Sequence, residues 1–401
     1  MAFNQFTNLD FADLRAQIKD YLRVNSNFTD FDFEGSNFSI LIDLLAYNSY
    51  LSAYNTNMAV NECFLDSATL RENVVALARN IGYVPRSARS AKATVSFSVD
   101  LGQNDTRIVT MKAGQVALGR QESGQYIFSI ADDFVATVND DNQAEFANVN
   151  IYEGVYLTKS FTVDYSQANQ RFILPNQNID STSIRVKVTS TTTEIYELYS
   201  NILRVDATSK LFLLQEIEDE TYEILFGDGI LGKKLPAGAR IDVSYIVTNG
   251  PKANGAKNFS FAGILNDDTG AVLTSGISLI TTQEEASNGD TVEETSSIKY
   301  LAPRIYAAQY RAVTANDYKG IIPFVYPNVE SVTSYGGEEL DPPEYGKVFI
   351  SIKPRNGNFL SQITKDDISR KLKQYSIAGI KPEIIDLKYL YVETDTSVYY
   401  N

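Results

Sequence analysis

The sequence predicts an α+β chain of several domains: a helical N-terminal arm, a β-rich core and a small C-terminal α/β domain. Three observations carry this. Apolar residues recur at intervals of three and four up to about residue 90, alternate with polar residues to about 285, and mix the two periods afterwards. The expected boundaries are therefore 1–90, 91–285 and 286–401. A length of 401 residues, 44% of them hydrophobic, suffices for two or three domains with cores of their own.

In the arm, Phe11, Leu14, Ile18 and Tyr21 follow helical spacing after an Asp10 cap. Asn25 to Gly35 (NSNFTDFDFEG) reads as a polar and aromatic loop. A helix of roughly 29 residues, well above the globular average, starts at Ser36. Its Ile40, Leu44, Tyr47, Leu51, Tyr54 and Met58 form a heptad-like seam, with Asn48, Ser52, Asn55 and Glu62 on the opposite face. Such a stripe usually packs inside its own domain. Here the arm offers few strongly apolar partners. Tyr47, Tyr50, Leu51, Tyr54 and Met58 are therefore candidates for contact with another molecule. A third helix carries Leu70, Val74, Leu77 and Ile81, capped by Ser67 and stopped at Gly82.

From Ser90 the period changes to two. Ala93, Val95, Phe97, Val99 and Leu101 alternate with polar residues, as do Ile184, Val186 and Val188, and Ile241, Val243, Tyr245 and Val247. Gly, Asn and Asp clusters separate these runs, which implies mainly antiparallel strands. Beyond Gly289, Val292 to Tyr310 reads as helix interrupted by Pro303, and Thr314 with Asp317 as a capping box. Val329–Tyr335, Lys347–Lys353 and Ile384–Tyr391 read as strands, and Lys365–Tyr375 as a helix. The sequence stops at Asn401 inside a strand-like run (YLYVETDTSVYYN), so further chain is expected to follow in the natural product.

The composition excludes several chemistries. There is no histidine and one cysteine, Cys63, which removes Ser-His-Asp and Cys-His mechanisms, histidine-ligated metals and thiolate zinc sites. No cofactor is expected. A net charge of -15 opposes nucleic acid and anionic membrane as partners. Met1 to Asp10 lacks the basic start and apolar core of a signal peptide, and the run Ile40 to Tyr47 is short and broken by Asp43. The chain reads as a soluble intracellular product. Its 25 Tyr and 21 Phe suit cores and protein-protein contacts.

Two motifs imitate catalytic signatures. Gly227, Gly229 and Gly232 spell the dinucleotide fingerprint, and Gly227 to Lys233 spell G-x-x-x-x-G-K. Both need a helix immediately afterwards to hold phosphate at its N-terminus. Pro236 and Gly238 break that helix, and the pattern resumes as a strand. Gly227, Asp228, Gly229, Gly232, Pro236 and Gly238 are therefore expected to form a turn motif between two strands, the glycines supplying positive φ. Asp268-Thr269-Gly270-Ala271 matches one half of an aspartic protease site, but a protease needs two such aspartates. It reads as a turn, as do the clusters at Asp132-Asp133 and Asn139–Asn142, which lack calcium-loop spacing. Two other functions stay open on the residues alone. One is a carboxylate-dependent hydrolase acting on cell wall; the other is a receptor-binding β protein.

Four stretches together resemble one family. Phe31–Ala91 (FDFEGSNFSILIDLLAYNSY onward) is similar to the N-terminal segment of the baseplate wedge proteins of T4-like contractile-tailed phages. Ile151–Asp164 (IYEGVYLTKSFTVD) and Phe226–Gly255 (FGDGILGKKLPAGARIDVSYIVTNGPKANG) resemble the baseplate-J-like core, and Ser287–Ile321 the segment that follows it. The resemblance implies a structural, non-catalytic virion protein of the tail baseplate, assembled in the host cytoplasm. Copies would pair within a wedge, and six wedges would form a ring around the hub. The N-terminal helices would bundle with another wedge subunit near the sheath-proximal baseplate protein. Ring rearrangement would trigger sheath contraction. Members of that branch usually continue well past a point like Asn401.

Overall fold

A computed structural model describes residues 7, 9–25, 27, 36–102, 106–121, 124–167, 169–199, 205–326, 328–355, 359–388, 393 and 396. Most of the loop expected at Asn25–Gly35, and most of the Tyr-rich end, lie outside the described residues. Two compact units emerge: Met1–Pro85 with Glu294–Tyr310, and Arg86–Glu293 with Arg311–Asn401.

The first unit is helical. α1 (Phe11–Asn25) starts at the expected cap, where the Asp10 carboxylate accepts the N–H groups of Ala12 and Asp13 at 2.8 and 3.2 Å. α2 (Asn37–Asn61) starts with the Ser36 hydroxyl accepting the Ser39 N–H at 3.1 Å. α3 (Arg71–Asn80) is not capped by Ser67, whose hydroxyl donates to the Asn61 carbonyl at 2.7 Å. Glu62 does that work: its carboxylate accepts the Thr69 N–H at 2.7 Å, the Leu70 N–H at 3.3 Å and the Asn73 side-chain amide at 2.8 Å. Gly82 ends α3 as expected, at φ +84, with its N–H on the Arg79 carbonyl and the Tyr83 N–H on the Ala78 carbonyl.

α4 (Thr295–Ala308) packs against α3. The sequence groups this helix with the third region, whereas its contacts place it in the helical unit. Pro303 lies inside α4 without ending it. It sits on the exposed side, where water can reach the Lys299 carbonyl that lacks a donor. The Tyr310 hydroxyl donates to the Gly82 carbonyl, joining the end of α4 to the end of α3.

The second unit holds three hydrophobic cores. β1 (Lys92–Asp100), β2 (Ile108–Met111), β3 (Gly114–Gln121), β4 (Gly124–Ile130), β5 (Phe134–Thr137) and β6 (Gln143–Glu153) begin the first. An insertion follows: β7 (Val155–Thr162), β8 (Phe172–Leu174), β9 (Ile179–Thr189), β10 (Thr193–Leu198), β11 (Leu211–Glu216), β12 (Tyr222–Phe226) and β13 (Arg240–Val247). The first body then resumes with β14 (Asn258–Phe261), β15 (Leu265–Asn266), β16 (Val272–Leu273) and β17 (Thr281–Ser287).

Its sheets, β14-β3-β4-β6-β1-β17 and β16-β15-β2-β5, enclose Val95, Phe97, Val99, Met111, Phe128 and Phe146. Phe97 stacks on Phe146 at 4.8 Å. The inserted sheet, β7-β13-β9-β10-β11-β12-β8, has a separate core of Val186, Tyr196, Phe212, Ile224, Val243 and Tyr245. One β-rich stretch of sequence thus carries two cores. Glu153, fully buried at the end of β6, ties its strand to the end of β13. It accepts hydrogen bonds from the Thr248 hydroxyl (2.6 Å), the Asn249 N–H (3.0 Å) and the Asn249 side-chain amide (2.7 Å).

The third core belongs to α5 (Ala315–Val325), β18 (Val329–Gly336), β19 (Lys347–Pro354), α6 (Gln362–Leu372) and β20 (Lys381–Ile385), in sheet order β18-β19-β20. Tyr318, Ile322, Ile350, Ile368 and Leu372 fill it. The expected capping box is present: Thr314 and Asp317 exchange side-chain-to-backbone bonds at the start of α5. β20 runs parallel to β19 and lies a few residues ahead of the strand expected at Ile384–Tyr391, whose last part is outside the described residues.

Candidate assembly surfaces

The buried face of α2 is not its apolar seam. Ser39, Ile42, Ala46, Asn57 and Asn61 are buried, a stripe of small and polar side chains with one isoleucine. Polar bonds hold this face. Asn57 accepts the Thr7 N–H at 3.1 Å and donates to the Thr7 hydroxyl at 2.6 Å, and Asn61 donates to the Asn57 carbonyl at 2.8 Å. Arg15 of α1 pairs with Asp43 at 2.6 Å and donates to the Ser39 hydroxyl.

The seam lies about 100° further round the helix, at 3.6 residues per turn. There Tyr47 is 53% exposed, Leu51 39% and Tyr54 43%, and Met58 is half-buried; Tyr50, also half-buried, lies off the seam towards the buried stripe. Ile40 and Leu44 extend the same stripe, exposed by 61% and 62%. Together they make one contiguous exposed apolar stripe rather than scattered exposure. Phe38, Leu41 and Leu45, also exposed, add a second strip that the heptad reading missed; the four-residue step from Leu41 to Leu45 was its signal. On α4, Tyr300 and Tyr306 are exposed, with Arg304 stacked over the Tyr300 ring at 3.5 Å.

The glycine motif is a tight loop between β12 and β13, with no helix and no phosphate cradle. Gly229, Gly232 and Gly238 have φ of +95, +87 and +74, the positive values expected. Gly227 serves differently. It is not in the left-handed region; a Cβ there would lie 2.3 Å from the Gly232 carbonyl carbon, so glycine is needed for close approach of two backbones. Asp228 accepts the N–H groups of Ile230 and Leu231 at 2.8 and 2.9 Å. Pro236 begins the turn that Gly238 completes: the Ala239 N–H bonds the Pro236 carbonyl at 3.2 Å, and the Gly238 N–H bonds the Val163 carbonyl at 2.9 Å. Lys233, the apparent P-loop lysine, is bound to both oxygens of Glu194 at 2.8 and 2.6 Å.

The loop also presents Ile230 and Leu231 outward, 76% and 57% exposed, which sequence reasoning missed although an Ile-Leu pair between turn glycines is visible there.

The backbone N–H groups of Ile230 and Leu231 hold the Asp228 carboxyl below its ordinary range. A depressed folded pKa means a contribution that is complete above the unfolded value of about 3.9 and lost as pH falls through the folded pKa. In an acid titration followed by NMR, the Ile230 and Leu231 amide shifts should therefore hold steady through pH ~4 and move only below it. Asp228→Asn, which keeps an acceptor but cannot titrate, should abolish that transition. An unchanged transition in the variant would assign it elsewhere.

The remaining motifs are occupied by local bonds. Asp267, beside the protease-like Asp268, accepts the Thr269 and Ala271 N–H groups within the turn joining β15 to β16. Asp132 is chelated by Arg185 and Asp133 by Lys112. Among the described residues no cluster of three metal-binding side chains occurs, and no helix is long and apolar enough to cross a membrane.

Comparison with known proteins follows the same bodies. Residues 10–83 match the baseplate wedge protein gp6-like helical domain, which here is α1 to α3. Residues 159–257 match the bacteriophage baseplate wedge protein gp6 third domain, and residues 314–385 match baseplate structural protein gp6 C-terminal domain I. Over these three stretches the chain is similar to gp6-like baseplate wedge proteins.

The chain is also 28% identical over 412 residues to baseplate wedge protein gp6 of Enterobacteria phage T4. The match covers 98% of the chain and 61% of the relative, so the chain spans about three fifths of that protein's length. A cryo-EM structure of the anti-feeding prophage baseplate matches 94% of the chain and 71% of its own, at 13% identity and a TM-score of 0.34. The wedge-family matches thus fall on the helical unit, the inserted sheet and the α/β body. Each of these has a core of its own, or in the first case a polar-bonded helix pair.

Proposed function

We propose that the chain is a structural subunit of the baseplate wedge of a contractile-tailed phage, resident in the virion and assembled in the host cytoplasm. It pairs with a second copy within a wedge, contributes to the ring around the hub and relays the trigger for sheath contraction. Other wedge subunits and the sheath-proximal baseplate protein are its partners, and it works without a reactive centre. The observation that carries this reading is α2. Its polar stripe is buried in its own unit, while Tyr47, Leu51 and Tyr54 stay open beside it. A stripe of aromatic and aliphatic anchors on a long helix suits a helix bundle between chains. The relative gp6 of phage T4 is a baseplate wedge protein by name, which supports the same assignment. Triggering then requires two packings of similar free energy biased by neighbouring contacts.

Phage unable to make this chain tests the proposal. Electron microscopy of the lysate should show no joined baseplates and no contractile tails attached to them. Infectious, contraction-competent particles lacking the polypeptide would overturn it.

A further inference from the structure

Within the second unit, buried polar bonds lock the first β body to the inserted sheet. Glu153 joins the end of β6 to the end of β13. Ser90, just before β1, donates its N–H to Asp180 of β9 at 2.9 Å. The Ser87 hydroxyl donates to the Ser181 hydroxyl at 2.8 Å and accepts the Ser181 N–H at 3.0 Å. Arg185 of β9 donates from Nε and Nη2 to Asp132, in the turn after β4, at 2.9 and 2.7 Å. Where the chain crosses between the bodies, a Cβ on Gly154 would lie 2.5 Å from the Val247 carbonyl oxygen, so the two connections pass in contact. Glu153 and Asp180 are 0% and 3% exposed. Parting the bodies would take donors from two buried carboxylates, which costs far more than losing exposed bonds.

The α/β body is held differently. A cleft of about 760 Å³ separates it from the first β body. Each wall satisfies charges within itself. On α6, Arg370 and Lys371 pair with Asp367 at 3.7 and 2.8 Å. On the facing wall, Asp290 pairs with Arg86 at 3.0 Å, and Glu284 accepts the Thr94 hydroxyl at 3.0 Å. Arg355, just after β19, reaches across to Asp290 at 3.4 Å. Its side chain is 54% exposed, and exposed pairs of this kind are weak and screened by salt.

The covalent route sharpens the contrast. From β17 the chain reaches the α/β body by way of α4, which it leaves at Gln309 and Tyr310. Both have left-handed φ, +49 and +57, and neither is glycine. A helix C-cap accounts for one such residue. A second in succession is backbone strain, of the kind stored where one element turns on another. The Tyr310 hydroxyl fixes the near side of this point to the Gly82 carbonyl.

We propose that the α/β body is a hinged wing on a rigid block of two β bodies, pivoting at Gln309–Tyr310, with the Arg355–Asp290 pair as the strap that holds it. Release of the strap frees the wing, while the two β cores turn together as one piece. The inference goes beyond the wedge reading and does not depend on it, since the joint belongs to the single chain.

The test uses the full chain with Cys63→Ser and spin labels on introduced cysteines. One pair, Gln283→Cys with Gln374→Cys, spans the cleft. The other, Gln283→Cys with Thr191→Cys, spans the two β bodies. All three sites are exposed. At about 50 mM salt, pulsed electron resonance should give one narrow distance for each pair. At about 500 mM the cleft distance should spread to about twice its width while the β-body distance holds. Arg355→Ala should spread the cleft distance at both salt concentrations. A cleft distance that stays narrow in Arg355→Ala, or that is already broad in the parent at low salt, would overturn the strap. A β-body distance that spreads along with it would overturn the rigid block.

Discussion

Tyr54→Asp should weaken binding of this chain to its wedge neighbours by roughly 100-fold or more, with little effect on its own folding. The two halves of the expectation have separate causes. Tyr54 is 43% exposed on the seam of α2, so truncating it should cost the isolated chain about 0.5 kcal/mol. In a helix bundle the same position would be dry. An aspartate buried there lacks a partner, and an unpaired buried charge costs several kcal/mol. Purified wedge subunits titrated against the parent chain and the variant would give the ratio, and circular dichroism melts would give the stability. Undiminished wedge formation by Tyr54→Asp would remove the arm from the interface. The contrasting control is Asn57→Leu on the buried stripe, which disrupts the bonds to Thr7 and acts on the fold rather than on binding.

Gly227→Ala is expected to be the most damaging single methyl in the inserted sheet. Its Cβ would meet the Gly232 carbonyl carbon, oxygen and Cα at 2.3, 2.4 and 2.6 Å, all backbone atoms. No rotamer can move them aside, so the loop itself must open. A cost of about 3 kcal/mol or more follows, and at about 2–4 °C per kcal/mol the melting temperature should fall by roughly 10 °C. Gly238→Ala separates the two roles of glycine. Its φ is +74 and no atom lies within 4 Å of the new methyl, so only backbone strain of about 1 kcal/mol applies. Scanning calorimetry of the two variants beside the parent decides the matter. Equal melting temperatures would mean that the close approach of Gly227 and Gly232 is not what the motif provides.

Local signals were legible in the sequence. The caps at Asp10 and Thr314, the helix start at Ser36, the stop at Gly82, and the period-two runs of β1, β9 and β13 all depend on neighbours a few residues away. What escaped depends on distant partners. The seam of α2 was visible, but the face it buries was not. Ser39, Ala46 and Asn57 carry no hydrophobic signal, and they are inside because small and bonded side chains let another segment approach. The cap of α3 was assigned to Ser67 by proximity, while Glu62 supplies it from seven residues before Thr69. Two β cores read as one because alternation is the same in both, and only pairing distinguishes β6 with β1 from β13 with β9. Pro303 was weighted by its usual cost in a helix, which an exposed position reduces. For the candidate surfaces, Tyr47, Leu51 and Tyr54 were legible from spacing.

The membership of α4 in the helical unit bears on the order in which the chain is made. The N-terminal helices leave the ribosome first, yet Val74, Val75 and Ala78 of α3 wait for a helix that ends at Ala308. All the β strands of the first two cores are synthesised in between. A nascent arm therefore stays unfinished until the chain has grown past Ala308, long after α3 itself has been made.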